Sequence, residues 1–561
     1  MKKLTLLLLV GILLVSQVQA DLFTKLDTVN IADNLTKNTG GIGNIIAGVD
    51  VDQDGKVEMY MVNDNWNDTA EELVPRIYKY EKIGDTEWEL VWQAIPPTNL
   101  VDAQNTWPTL SLTDLDQDGK QELLWGIVNS TGTIANPARI VVYEHSGGDN
   151  FGVDHGGLWE PNSYWTIADE DSKNIRPVNW EIADIDDDGV DEIIFASRKP
   201  DLTIGICSVN DIPDNGDDSE TWTMEYSLPG IETYTGDNKW DVAVIGNNAY
   251  FFDEVEISKI SWNGSEYTYT ALPALQGGFA FDAVQVYDID NDGVEEMITG
   301  DYNSAGDYGD GTHHLWLLEE ENEGLKRTPL VNLDGENLLN GGRIIGGATG
   351  DIDADGKIDF VFGSRFSGPN GTMFRFEYQG GAIDNNANWE LSIIDSAFAY
   401  IDLASGGIWN VIEIANVDDD KGLEVLYTSS TSIPYSVEYP TVNVSAPVII
   451  LDSPNKEKIT SVDNKIQIAA GYELSPAYPN PFNPSTTISF KIPIGEFVTM
   501  NIFNIRGQKI STLVNNNLNA GLHSVIWNGT NDKGANVATG IYLYQLITPN
   551  YTKMRRMTFI K

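Results

Sequence analysis

A nine-residue acidic pattern recurs six times along the chain and limits the possible folds more than any other feature. Its first copy runs from Asp50 to Glu58 and reads D-x-D-x-D-G-x-x-E, with an apolar run on each side. Carboxylates stand at Asp50, Asp52, Asp54 and Glu58, and Gly55 permits the left-handed backbone of a tight turn. The pattern returns as Asp114, Asp116, Asp118 and Glu122, and again as Asp184, Asp186, Asp188 and Glu192. Then come Asp288, Asp290, Asp292 and Glu296, followed by Asp351, Asp353, Asp355 and Asp359. The last copy is Asn416, Asp418, Asp420 and Glu424, with its glycine one place later, at Gly422.

Two carboxylates about 4 Å apart repel by roughly 4 kcal/mol at an effective dielectric of ~20. Several such pairs in one loop outweigh any turn preference, so each loop needs a cation among its acids. Hard oxygen ligands on alternate residues, with a backbone carbonyl at the seventh position, suit Ca²⁺. Mg²⁺ suits the pattern less well, because it keeps several waters. The expectation is about six Ca²⁺ sites, one per copy. An EF-hand would need a bidentate Glu at the twelfth position and helices on both sides. That position holds Met61, Trp125, Phe195, Thr299, Phe362 and Tyr427, and the flanks read as strands.

The copies begin at 50, 114, 184, 288, 351 and 416. The interval after 184 is too long and hides a seventh unit. There Trp240-Asp241-Val242-Ala243 echoes Trp180-Glu181-Ile182-Ala183, while Val244 and Gly246 replace two of the acids. Each unit has one strand before the loop and one after it. A third follows, as in Arg76-Ile77-Tyr78-Lys79-Tyr80, and then a Trp-rich fourth, as in Trp88-Glu89-Leu90-Val91-Trp92. Four antiparallel strands in seven units predict an all-β chain built as a seven-bladed β-propeller. The last unit lacks an outer strand after Val448-Ile449-Ile450-Leu451, and segment 22–29 is expected to supply it.

These loops resemble the FG-GAP/VCBS repeats of seven-bladed propellers, including that of integrin α subunits. The resemblance covers about 430 residues and implies loops that join the first two strands of a blade and bind Ca²⁺ there. It leaves the ligand open, because the fold serves many functions.

Residues 1–20 read as a signal peptide: Lys2 and Lys3, an apolar run from Leu4 to Val18, then Val18-Gln19-Ala20. That run is short for a membrane span, so the mature chain is expected to be exported without a transmembrane segment. The formal net charge of −50 argues against nucleic acid or an anionic membrane as partner. Cys207 is the sole cysteine, so no disulfide within the chain can stiffen it outside the cell.

The domain plan is signal 1–20, propeller 21–452, linker 453–472 and a C-terminal domain 473–561. The last segment opens on Tyr478-Pro479-Asn480-Pro481-Phe482-Asn483-Pro484 and continues in alternating strands such as Thr487-Ile488-Ser489-Phe490-Lys491-Ile492. Period-two runs split by Gly and Asn turns predict a small Ig-like β-sandwich. Over about 85 residues this segment resembles the type A C-terminal sorting domain of the bacterial type IX secretion system. The resemblance implies delivery across the outer membrane, to the medium or the cell surface, with the secretion machinery as a partner.

The sequence carries no C-x-x-C, H-E-x-x-H or G-x-S-x-G signature. No catalytic residue is therefore assigned, and no cofactor other than Ca²⁺. If the acidic loops sit at one end of the blades, Trp66, Trp107, Arg198, Tyr302, Arg365 and Trp409 sit at the other. Aromatic, amide and Arg groups suit a sugar or a peptide, which makes that end the candidate ligand face. The reading is a binding or adhesion module for an extracellular glycan or protein. Its alternatives are a polysaccharide lyase or hydrolase on the same scaffold, and a structural surface-layer protein.

Overall fold

The computed structural model describes residues 23–560 except 30–41, 64–73, 105–107, 128–133, 168–174, 198–202, 230–239, 253–256, 273–282, 301–313, 322–323, 334–342, 366–371, 397–406, 431–447, 456–472, 475–476, 478–479, 493–495, 519–520, 549–551 and a few isolated positions. The segment read as a signal peptide therefore lies outside the described residues, as does most of the expected linker. The described residues form strands and one short 3₁₀ turn, Asn386–Asn388, so the chain is all-β. Among them no helix is long and apolar enough to cross a membrane.

Seven antiparallel sheets follow one another. The first comprises Ile42–Val49, Glu58–Asn63, Ile77–Gly84 and Glu87–Ala94, hydrogen-bonded in chain order. The next five span 109–165, 177–228, 241–272, 285–332 and 343–396 with the same order; a short fifth strand, Asn150–Phe151, joins the first of these. The seventh holds Gly407–Ala415, Glu424–Ser430 and Val448–Asp452, and its outer strand is Thr24–Val29. That strand pairs antiparallel with the last one, Lys25 opposite Leu451 and Val29 opposite Val448. The sheet is thus completed from the far end of the chain, as the missing outer strand required.

Burial explains which residues form which strand. Glu58–Asn63 and Glu192–Ser197 are buried along their whole length, because each is the second strand of its sheet and is covered on both faces. The fourth strands Glu87–Ala94 and Tyr267–Leu272 alternate exposed and covered residues, as a half-solvated edge does. The first strand of each sheet lies beside that of the next, and the first strand of the seventh lies beside that of the first. The apolar cores lie between successive sheets. Tyr60, Trp92, Leu123 and Tyr143 fill one between the first and second. Met59 and Tyr80 meet Val411, Leu426 and Ile450 in one between the first and seventh.

The unit without an acidic loop forms a complete sheet. Its strands Asp241–Ile245 and Asn248–Phe252 are joined by the two-residue turn Gly246-Asn247, with Gly246 at φ 53°. The hydrogen bonds correct the sequence match by two residues. Asp241 Oδ1 accepts the N–H of Val242, just as Asn179 Oδ1 accepts that of Trp180, so Asp241 takes the place of Asn179. Asp241, 2 % exposed, ties three sheets together. It accepts from Asn179 Nδ2 at 2.6 Å on one side and from the N–H groups of Ala283 (2.7 Å) and Val284 (2.8 Å) on the other. Asp241→Ala would leave the N–H groups of Ala283 and Val284 buried and unpaired. It is expected to cost about 3 kcal/mol or more, read as a lower denaturation midpoint, while Asp241→Asn costs less.

Residues 473–559 form a separate two-sheet sandwich. One sheet pairs Thr486–Ile492 with Gly521–Trp527, and the other orders Lys509–Leu518, Glu496–Asn504, Gly540–Ile547 and Thr552–Phe559. Its own core holds Phe482, Phe490, Met500, Trp527, Tyr544 and Phe559.

Candidate metal centres

The acidic loops share one hydrogen-bonding scheme that follows from their spacing. In all six, the N–H of the second residue donates to one oxygen of the ninth-position acid. The donors are Val51, Leu115, Ile185, Ile289, Ile352 and Val417, at 2.6–3.0 Å. The N–H at position seven donates to the acid at position five in all six, as Lys56 does to Asp54 at 2.8 Å. Gly55, Gly119, Gly293 and Gly356 donate to Oδ2 of the first-position Asp at 2.9–3.1 Å. These glycines have φ between 88° and 97°, as expected from the sequence. Gln53, Gln117, Asp187 and Ala354, two residues earlier, are also left-handed, which the sequence reading missed. Gly422 serves a different need: a Cβ there would lie 2.5 Å from the Cβ of Ser453.

With one carboxylate oxygen tied to the backbone, the other is turned inward. Glu122, Glu192 and Glu424 are each 0 % exposed, and their Oε1 atoms accept no hydrogen bond. The same holds for Oδ1 of Asp50, Asp114 and Asp184. Asp114, Asp116, Asp118 and Glu122 bring one oxygen each within 4.8 Å of one another, and so do Asp418, Asp420, Glu424 and Asp452. Burial pushes Glu122 and Glu192 up to about 10, Glu424 to about 9 and Glu296 to about 8, with neighbouring acids adding to the effect. Buried, convergent and unpartnered oxygens of this kind fit a divalent cation with hard oxygen ligands.

Several contributors were not legible as loop residues. An acid on the third strand faces the ninth-position acid across the sheet: Glu81 opposite Glu58, Glu144 opposite Glu122, Glu377 opposite Asp359. Asp452 stands in the same place in the seventh sheet. Where position seven is Lys, that Lys bridges the loop to this acid. Lys120 lies 3.1 Å from Asp118 and 2.7 Å from Glu144; Lys357 lies 2.7 Å from Asp355 and 2.9 Å from Glu377; Lys56 joins Asp54 and Glu81 likewise. A sequence signal for these acids exists: each closes a buried run, as in Tyr80-Glu81, Tyr143-Glu144, Phe376-Glu377 and Leu451-Asp452.

Neighbouring loops touch, so they share one end of the sheets. Gln117 donates to the carbonyl of Gly189 at 2.8 Å, and Leu423 N–H to that of Ile352 at 2.7 Å. Asn247, in the turn of the loop-less unit, donates to the carbonyl of Ile185 at 2.7 Å. The C-terminal domain reaches the same end: Arg555 Nη1 lies 2.5 Å from Asp184 Oδ2, and Arg556 donates to the carbonyl of Asp187 at 2.9 Å.

The candidate ligand face is barely covered. Trp66, Trp107, Arg198 and Tyr302 lie outside the described residues, and only the backbones of Arg365 and Trp409 are described. Both backbones lie toward the strand ends remote from the acidic loops, in Asp359–Arg365 and Gly407–Ala415. Trp180 and Trp240 are buried.

Residues 485–548 match the FlgD Ig-like domain. A search of curated proteins finds no match. Solved structures similar to the chain include PorZ, a surface component of the type-IX secretion system of Porphyromonas gingivalis. That match has a TM-score of 0.35 and 11 % identity, and covers 91 % of this chain and 58 % of PorZ. The NanB sialidase of Streptococcus pneumoniae gives 0.34 at 13 % identity, covering 74 % of this chain and 69 % of the sialidase. The intramolecular trans-sialidase of Ruminococcus gnavus gives 0.37 at 11 % identity, covering 77 % and 98 %. The chain thus spans little more than half the length of PorZ.

Proposed function

We propose that the chain is an exported, calcium-stabilised seven-bladed propeller of the FG-GAP/VCBS type that binds a glycan or protein outside the cell. The observation that carries the metal part is the set of buried Glu oxygens without partners, on Glu122, Glu192 and Glu424. The cyclic adjacency of the seven sheets, with Thr24–Val29 completing the last, supports the propeller. The ion would be held by the acids of each loop, and its role is to neutralise and rigidify. The ligand would bind at the opposite end, where Trp66, Trp107, Arg198, Tyr302, Arg365 and Trp409 cluster by sequence position. The Ig-like C-terminal domain would serve as the type IX sorting domain; the order of its motifs supports this, as does its sandwich fold.

The metal part predicts an inversion. Glu122→Gln keeps an acceptor for the N–H of Leu115 but removes a buried charge. With calcium it should cost about 2–3 kcal/mol, the worth of one lost site. Without calcium it should be neutral or stabilising, because Gln needs no proton to enter the buried site, whereas Glu122 there must take up a proton that the unfolded chain lacks at neutral pH. Thermal melts of both proteins in both conditions read the effect, and a mutant equally destabilised in both sinks the metal reading. The ligand part is tested by passing the mature protein over a polysaccharide and protein panel. Retention without cleavage supports binding; new reducing or unsaturated ends would make it an enzyme instead.

A further inference from the structure

The six loops are not alike, and the difference lies on the third strand. Two residues past the ninth-position acid, each second strand faces one third-strand residue. In the second, fifth and seventh sheets the pairs are Leu124–Val142, Ile298–Leu317 and Leu426–Ile450, and in the third Ile194–Ile206. In the first and sixth sheets the third-strand partner is a cation: Tyr60 faces Lys79, and Val361 faces Arg375.

Both cations turn into their own loop and bridge the same two positions. Lys79 Nζ lies 2.7 Å from Glu58 Oε1 and 3.6 Å from Asp52, and also 3.0 Å from Asp149. Arg375 Nε lies 2.7 Å from Asp359 Oδ1, and Nη2 lies 2.7 Å from Asp353. Lys79 is 0 % exposed and Arg375 is 6 % exposed, so both charges are committed to the loop. The inward oxygen of the ninth-position acid has no partner in Glu122, Glu192 and Glu424; here Asp359 Oδ1 accepts from Arg375, and Glu58 Oε1, which accepts no hydrogen bond, lies in ion-pair contact with Lys79.

We infer that the loops at 50–58 and 351–359 carry a protein cation in place of a metal ion, so that four loops, not six, take Ca²⁺ tightly. This rests on the calcium reading above and refines it. A buried ammonium or guanidinium on the carboxylates of positions three and nine repels a doubly charged ion at the same oxygens. The four metal loops are those beginning at Asp114, Asp184, Asp288 and Asn416. Arg555 does not exclude the loop at Asp184, since it meets Oδ2 and leaves the inward Oδ1 without a partner. The two self-neutralised loops would hold their shape without calcium, one in the first sheet and one in the sixth.

The test is a count of bound calcium on the full mature chain, by equilibrium dialysis and metal analysis in buffered free calcium. The wild type should hold four ions. Lys79→Val and Arg375→Leu install the apolar residue type found in the other sheets, and Oδ1 of Asp50 and of Asp353 still lacks a hydrogen bond there. Each variant should gain one ion, and the double variant two. Both should need calcium to fold, so circular dichroism with and without calcium is read alongside. A wild-type count above four, which needs no variant, overturns the inference. So does a folded variant that gains nothing. No bound calcium at all would instead overturn the reading on which it rests.

Discussion

If the loops hold calcium as proposed, stripping it from the chain is expected to lower the melting temperature by roughly 10 °C or more. An ion that binds only the folded form adds about 2.7 kcal/mol per site at a hundred times its dissociation constant. Four such sites sum to on the order of 10 kcal/mol, and each kcal/mol moves the midpoint of a large domain by about 2–4 °C. The loss should also depend on pH. Without metal, Glu122 and Glu192 are held up to about 10, Glu424 to about 9 and Glu296 to about 8, against an ordinary 4.5. In that window the folded chain binds more protons than the unfolded one. Its stability is full below about 4.5 and falls as pH rises through the raised values. A bound cation keeps these carboxylates ionised at no such cost, so the loaded protein should melt nearly independently of pH. Melts of loaded and stripped protein at pH 5 and pH 8 check this; a gap that stays constant or narrows toward pH 8 contradicts it.

Deleting the chain through Val29 is also expected to be strongly destabilising. Thr24–Val29 supplies the outer ladder of the seventh sheet, and its partner Val448–Asp452 is buried along its whole length. Val29 also enters the core between the seventh and first sheets, beside Met59, Tyr80 and Leu426. Removing the strand exposes a row of unpaired backbone groups on a strand of sequence VIILD, a template for intermolecular pairing. The cost should exceed about 5 kcal/mol and take the soluble yield with it. A truncated protein that stays monomeric by gel filtration, with an unchanged melting temperature, would show that the strand is dispensable. Supplying residues 21–30 as a separate peptide should restore solubility in part, since the pairing is main-chain and antiparallel.

The acidic loops were legible because their logic is local. The left-handed glycines, the shared backbone donors and the flanking strands all follow from nine consecutive residues, and they are present at 50–58, 114–122 and 351–359 alike. The degenerate unit at Asp241 was found by its period, but its alignment was off by two. An interval count carries no hydrogen bonds, and only the matching side-chain acceptors of Asn179 and Asp241 set the register. The outer strand at Thr24–Val29 was inferred from a shortage at the other end of the chain, an argument about edges rather than about any motif.

What the order of amino acids determined alone was the repeating unit: seven units of four strands, six of them with an acid-lined corner between the first two, before a smaller sandwich. The third dimension decided what each corner contains. Whether Glu58 or Glu122 faces an unmet need depends on the residue across the sheet, Lys79 with its neighbour Glu81 in one case, Val142 with Glu144 in the other. Those partners lie about twenty residues away, and only strand register brings them to the carboxylate. Spacing along the chain governs turns, because turns are built from neighbours. Charge balance in a buried corner is governed by every group within a few ångströms, and the pairing of strands selects those groups.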